Sequence, residues 1–157
     1  HGSTLAEDIE AINTLMAKQP TAKIVLHTGW ARSASLMEEW QSQDAAESSP
    51  MQHSRGYMNA LLRQLRSQYP DRQFDRTRAM DLLHEVAEDS QTGKAPMQEV
   101  DALYRDAIHM NVVTGRYLMH NAMRQALAQP RSVAGFEKID PGIRRYLDQI
   151  LDRQLND

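Results

Sequence analysis

The sequence predicts an α/β fold that is rich in helices and contains few strands. Two long segments, residues 52–68 and 113–129, carry apolar side chains at the spacing of a helix. The run Ile24-Val25-Leu26 is short, continuous and apolar, which is typical of a parallel strand buried on both faces. A helix and a proline turn precede this run, and together they form half of a βαβ unit. At 157 residues, the chain is expected to be a single domain.

The first helix is predicted from its cap and its apolar face. Thr4 is a favourable N-cap residue, and Glu7, three residues later, completes a capping box. Pro20 ends the helix because proline disrupts the helical hydrogen-bond pattern. The apolar residues of one helix face are Leu5, Ile9, Ile12 and Met16.

The later elements follow from apolar spacing and from turn residues. Residues 38–50 are mostly polar and are expected to form a loop. The segment 113–129 is apolar on most sides, so we expect it to be buried, with His120 as a hydrogen-bonded core histidine. Asp140 and Pro141 are typical of the start of a helix. The other predicted elements are a short helix around 36–40, a helix at 52–68, a weak strand at 72–77, a helix at 79–88, a loop at 90–95 and a helical turn at 97–104.

Composition limits the classes of partner and cofactor. The formal net charge is −3, so no nucleic-acid partner is predicted, and no apolar run reaches the ~20 residues of a membrane span. The absence of cysteine excludes disulfides and thiolate metal sites without fixing the compartment, and a periplasmic or secreted location stays open. His27, His53 and His84 share no H-x-x-x-H spacing, so no metal site is predicted. Residues 1–3 are interpreted as a tag remnant, which leaves 4–157 as the domain.

Asp106 and His109 are the strongest candidates for catalysis. They lie three residues apart in a polar patch just before the long apolar segment. A histidine takes up a proton near neutral pH, and a carboxylate bonded to one ring nitrogen fixes its tautomer. This pattern predicts an acid–base pair for hydrolytic chemistry. The alternative is structural, with Asp106 capping the following helix.

The residues around this pair carry a family resemblance. Downstream of the pair stand Asn111, Gly115, Arg116, Tyr117 and Leu118. Asp-x-x-His before such a segment resembles the last signature block of the SGNH, or GDSL-type, hydrolases. The apolar strand followed by Trp30-Ala31-Arg32 resembles a bacterial subgroup of that family. The resemblance covers roughly residues 5–127 and implies a flavodoxin-like three-layer α/β domain, here represented by a helix-rich portion with few strands.

The resemblance also implies a function and roles for particular residues. The implied enzyme is an esterase acting on a carbohydrate or small acyl ester, without a metal or organic cofactor. His109 matches the general base, and Asp106 matches the acid that orients it. Trp30, Arg32 and Asn111 are expected at the substrate rim.

Three other signature blocks of the family have no match in the chain. The Gly-Asp-Ser nucleophile block and the two blocks that supply oxyanion donors are missing. We therefore expect the chain to be the C-terminal portion of a longer hydrolase, or a relative that has lost catalysis, and to be weak or inactive alone. Ser33 and Ser35 are alternative nucleophiles, but neither lies in a Gly-x-Ser-x-Gly elbow, and turn or capping roles explain them more simply.

A second class of function is a non-catalytic, mainly helical interaction module. A chain with so few strands would leave a sheet edge and an apolar face exposed. The expected partner is then its own N-terminal part, another copy of the chain or a different protein. A basic stretch is interpreted mainly as a solvated face, with contact to an anionic substrate or polysaccharide as the alternative. Its residues are Arg63, Arg66, Arg72, Arg76 and Arg78.

Overall fold

The computed structural model describes residues 4–42 and 53–154. This part of the chain is mainly helical and contains a small two-stranded parallel sheet, so the broad expectation of a mixed α/β fold is confirmed. Its longest predicted elements are all present. In chain order the elements are α1 (Leu5–Lys18), β1 (Ile24–Leu26), α2 (Leu36–Gln41), α3 (Arg55–Gln68), β2 (Phe74–Arg76), α4 (Ala79–Gln91), α5 (Thr114–Ala126) and α6 (Pro141–Arg153), with 3₁₀ turns at Ser33–Ser35 and Val100–Leu103.

The sheet pairs β1 with β2 in parallel, and Val25 lies opposite Asp75. The expectation that β1 is buried on both faces is wrong, because all three of its residues are half-buried. The reason is the size of the sheet. Within the described ranges it has only two strands, so each strand keeps an unpaired edge.

Helix α1 begins with the predicted capping box. The Thr4 hydroxyl accepts a hydrogen bond from the Glu7 backbone N–H, and the Glu7 carboxylate accepts one from the Thr4 backbone N–H at 2.7 Å. The helix ends at Lys18, two residues before Pro20. Its apolar face buries Leu5, Ile9 and Met16 against α3.

Two apolar clusters form the core. The larger one joins α2, α4, α5 and α6, with Leu83, Leu118 and Ile150 among its fully buried side chains. The smaller one joins α1 and α3 with Phe74 of the sheet. In the part of the chain that is described, no helix has the length and apolar character needed to cross a bilayer.

Several helix boundaries differ from the predicted ones. Helix α3 begins at Arg55 after the Ser54 cap, α4 continues to Gln91, and α5 ends at Ala126. The interpretation of His120 as a core histidine is wrong, because His120 is exposed. Helix α5 has one buried face and one exposed face, and His120 lies on the exposed one. Residues 1–3 and most of the predicted loop at 38–50 lie outside the described residues.

Candidate active site

Asp106 and His109 are in direct contact. The Nδ1 atom of His109 lies 2.9 Å from each carboxylate oxygen of Asp106. One of these oxygens also accepts the backbone N–H groups of His109 at 2.9 Å and Ile108 at 3.1 Å. The two backbone N–H donors, of which that of His109 has the larger effect, stabilise the ionised carboxylate, as does the His109 imidazole. Together they hold the pKa of Asp106 far below its usual range. The carboxylate is therefore ionised at neutral pH.

This geometry leaves one ring nitrogen available for chemistry. An ionised carboxylate only accepts hydrogen bonds, so it favours a proton on Nδ1 of His109 and a lone pair on Nε2. The two side chains are accessible, with 47% of Asp106 and 63% of His109 exposed. In residues 4–42 and 53–154, Asp106 is the sole hydrogen-bond partner of the His109 ring. The pair can act as a base toward a group brought to Nε2.

The loop that carries the pair is bonded to the segment that follows β1. The Trp30 indole N–H donates to the carbonyl of Ile108 at 2.6 Å, and the Ser33 backbone N–H donates to the carbonyl of Ala107 at 3.1 Å. Within the loop, the Arg105 N–H donates to the His109 carbonyl at 2.7 Å. Ligands of open α/β sheets bind at the carboxyl ends of the strands, and these contacts join the loop to the segment that leaves such an end.

Asn111 links the loop to α5. Its side-chain oxygen accepts backbone N–H groups of Val113, Thr114 and Gly115, and its amide donates to the carbonyl of Ala102. Asp106 does not cap the following helix, as the structural alternative supposed, because Asn111 accepts the first N–H groups of that helix. Asp106 instead caps its own turn. The role of Asn111 at a substrate rim stays a prediction, and both polar atoms of its side chain are already engaged in the cap.

Gly115 supports the packing of α5 because it has no side chain, a role that was not predicted from the sequence. A Cβ atom at this position would lie 2.1 Å from the carbonyl oxygen of Leu103. Only glycine therefore lets the first turn of α5 pack against the 3₁₀ turn that ends at Leu103. The feature of the sequence that could have indicated this role is the glycine four residues after Asn111.

The other predicted site residues make no hydrogen bond to the side chains of Asp106 and His109 among the residues described. Arg32 is exposed beside the loop contacts made by its neighbours. The Ser35 hydroxyl donates to Glu39 at 2.8 Å, at the start of α2, while Ser33 contributes its backbone N–H to the loop. In the part of the chain described, neither serine hydroxyl bonds His109, and the Ser35 hydroxyl makes no capping bond to the backbone of α2.

A cavity of about 250 Å³ lies beside the loop. Trp30, Met110, Met123 and Phe136 give it apolar walls, and Arg116 adds one charge. It shares Trp30 with the loop contacts and offers space for an apolar group. Across residues 4–42 and 53–154, no three His, Asp or Glu side chains are grouped closely enough to hold a metal ion.

No protein-family model matches the chain, and neither a curated protein nor a solved structure is significantly similar to it. The functional argument therefore rests on the residues and contacts described above.

Proposed function

We propose that Asp106 and His109 are the acid–base pair of a serine ester hydrolase of the SGNH type. The observation that carries the proposal is the contact between Nδ1 of His109 and an ionised carboxylate, which directs Nε2 toward an incoming group. The bond between the loop and Trp30, in the segment that follows β1, supports it. In this proposal, the chain is the C-terminal portion of a flavodoxin-like three-layer domain.

The proposed reaction is acyl transfer through a serine that the described residues do not supply. Nε2 of His109 takes the proton of the serine hydroxyl as its oxygen attacks the ester carbonyl. Asp106 stabilises the imidazolium that forms, and the imidazolium then protonates the leaving alcohol. Water attacks the acyl-serine in the same way, and the acid is released. The substrate class is a carbohydrate or small acyl ester, and no metal or organic cofactor takes part.

A fluorophosphonate probe tests this proposal, because it phosphonylates a serine hydroxyl that a neighbouring base activates. We expect labelling of the full-length gene product and loss of labelling in His109→Gln. Asp106→Asn should lower the labelling rate by about 10²–10⁴-fold, since the tautomer is no longer fixed. The 157-residue chain alone should hydrolyse p-nitrophenyl acetate no faster than its own His109→Gln variant.

Two results would contradict the proposal. One is a full-length product that the probe does not label while the protein is folded. The other is labelling that persists unchanged in His109→Gln, because the base would then be another residue. His53→Gln is the matched control, since His53 bonds Glu39 and does not line the cavity beside the loop.

The unpaired edges of the two-stranded sheet favour the non-catalytic interaction module as a second candidate. An exposed edge offers backbone N–H and carbonyl groups to another strand. In that case the chain should sediment as a dimer or co-purify with its own N-terminal part, and the probe should label neither form. A labelled full-length product would reject this candidate.

A further inference from the structure

One face of α5 lines the cavity beside the loop of Asp106 and His109. Residues 116, 119, 120 and 123 stand at i, i+3, i+4 and i+7, a spacing that places them on the same side of a helix. All four line the cavity. Leu118 and Asn121 lie on the opposite side of α5 and are fully buried. The core therefore takes one side of α5, and the cavity takes the other.

The apolar walls of the cavity are held in place by contacts of their own. The Trp30 indole is bonded to the Ile108 carbonyl at 2.6 Å. Phe136 packs edge-on against Tyr117, with the ring centroids 5.5 Å apart. The space between these rings is completed by flexible thioether side chains, which adapt to ligands of different shape. These side chains belong to Met110, Met119 and Met123.

The polar part of the lining contains no acid among the residues described. It consists of His27, Arg116 and His120, so its one formal charge is positive. Nδ1 of His27 is engaged with the Thr77 hydroxyl at 3.1 Å. Such a lining does not repel the carbonyl oxygen of an ester or the carboxylate of the acid that hydrolysis releases, since both carry negative charge.

The cavity and the catalytic pair share a loop. Met110 lines the cavity and directly follows His109, and adjacent Cα atoms of a chain are only ~3.8 Å apart. Trp30 lines the same cavity and bonds the residue that precedes His109. A group bound in the cavity is therefore held beside the loop that carries the pair.

The volume of the cavity favours a short apolar group. It measures about 250 Å³, which is below the ~300–1,000 Å³ of pockets for drug-sized ligands. An apolar cavity of about 150 Å³ already holds benzene, so a chain of about six to ten carbons is the size class that fits. A sugar is disfavoured, because its hydroxyl groups would lose their water against methionine and aromatic side chains.

We propose that this cavity is the acyl-binding pocket of the hydrolase and takes an unbranched acyl group of about six to ten carbons. The inference rests on the proposed ester hydrolysis and assigns substrate recognition to the acyl part of the ester instead of a sugar. Burial of the acyl chain between Trp30, Phe136 and the methionines supplies the affinity. The ester carbonyl stays at the loop of His109.

NMR of the methionine methyl groups tests the pocket on the 157-residue chain itself, because equilibrium binding needs no nucleophile. The probe is octanoate, the acid that hydrolysis of an octanoyl ester would release. Its titration should shift the methyl signals of Met110, Met119 and Met123 and leave that of Met37, on α2, unchanged. The ring signals of His109 should shift in the same titration, because the carboxyl end of the probe lies at its loop.

The affinity should depend on the length of the probe. From butyrate to octanoate, each added methylene should tighten binding by up to about fourfold, the value for full burial. The gain should stop beyond about ten carbons, because further carbons project out of the cavity. All probes are kept below the concentration at which they form micelles. Glucose should give no saturable change.

Met123→Gln places a polar amide in the apolar wall and should weaken octanoate binding by about tenfold. Met37→Gln is the matched control. Met37 is also a half-buried methionine of a helix, but it does not line the cavity. This variant should bind octanoate like the parent chain.

The inference is overturned if octanoate does not bind saturably, or if Met37→Gln weakens its binding as much as Met123→Gln. An affinity that keeps rising equally beyond about ten carbons would also reject the pocket, because it indicates adsorption to exposed apolar surface. Binding that leaves the His109 signals unchanged rejects the acyl role. Failure of the hydrolase proposal appears separately: a full-length product that binds octanoate but is not labelled by the fluorophosphonate overturns ester hydrolysis, and with it the acyl role.

Discussion

At the scale of single residues, histidine occurs in two opposite environments in this chain. His109 is exposed and paired with an ionised carboxylate. His84 is buried in α4 and stacks on Trp40. The Asp106–His109 pair was predictable because its residues are close in sequence. The stack was not, because Trp40 and His84 are 44 positions apart and nothing in the local pattern joins them.

Burial of His84 predicts a pH dependence of stability. Burial is the main reason why its pKa lies below 6.5; Glu88 and Asp81 oppose this shift, and Arg55 adds to it. Below about pH 6.5 the unfolded chain therefore binds a proton that the folded chain does not. This contribution to stability is present above that pH and is lost as the pH falls. Between about pH 7.5 and 5.5, the free energy of unfolding should fall more for the parent chain than for His84→Gln.

Urea unfolding at the two pH values measures this difference. His120→Gln, which replaces an exposed histidine on α5, is the control. Equal losses of stability in the parent chain and in His84→Gln would show that His84 does not titrate as its burial implies.

At the scale of elements, the helices were predicted more accurately than the strands. Thr4 and Asp140 cap the helices they were expected to cap, because a cap is encoded within three residues. The burial of β1 depends on how many strands lie beside it, and no residue of Ile24–Leu26 encodes that number. The bond from Trp30 to the loop was likewise invisible, since its partner Ile108 is 78 positions away.

The Asn111 cap predicts a test of how the loop joins α5. Asn111→Ala removes the acceptor of three backbone N–H groups and should lower the free energy of unfolding by about 1 kcal/mol. Asn111→Asp keeps an acceptor oxygen at the start of α5 and should lose less. Chemical denaturation of both variants provides the comparison. A larger loss in Asn111→Asp than in Asn111→Ala would argue against the capping role.

At the scale of the whole molecule, the two apolar clusters divide the core unequally. The cluster of α1 and α3 with Phe74 is the smaller, and α1 packs mainly against α3. The larger cluster joins four helices. Sequence periodicity identified most of these apolar faces. It did not predict which faces meet, because pairing depends on contacts between residues far apart in the chain.

Because the two clusters differ in size, α1 and α6 are expected to differ in the free energy of local opening. Regions with fewer buried contacts open at lower free energy than the global unfolding reaction. Amide hydrogen exchange should therefore give a lower opening free energy for α1 than for α6. Ile9→Ala should lower protection in α1 and α3 further while α6 changes little, because Ile9 belongs to the smaller cluster. Equal opening free energies in α1 and α6 would mean that the two clusters unfold as one unit.

The two tryptophans of the chain have a spectroscopic consequence. The indole of Trp30 is bonded to the loop of Asp106 and His109, and the indole of Trp40 is bonded to Asp81 of α4. Each indole is therefore an intrinsic fluorophore for a different part of the molecule. With Trp40 replaced by phenylalanine, emission follows the loop of Asp106 and His109 alone; with Trp30 replaced, it follows the contact between α2 and α4 alone.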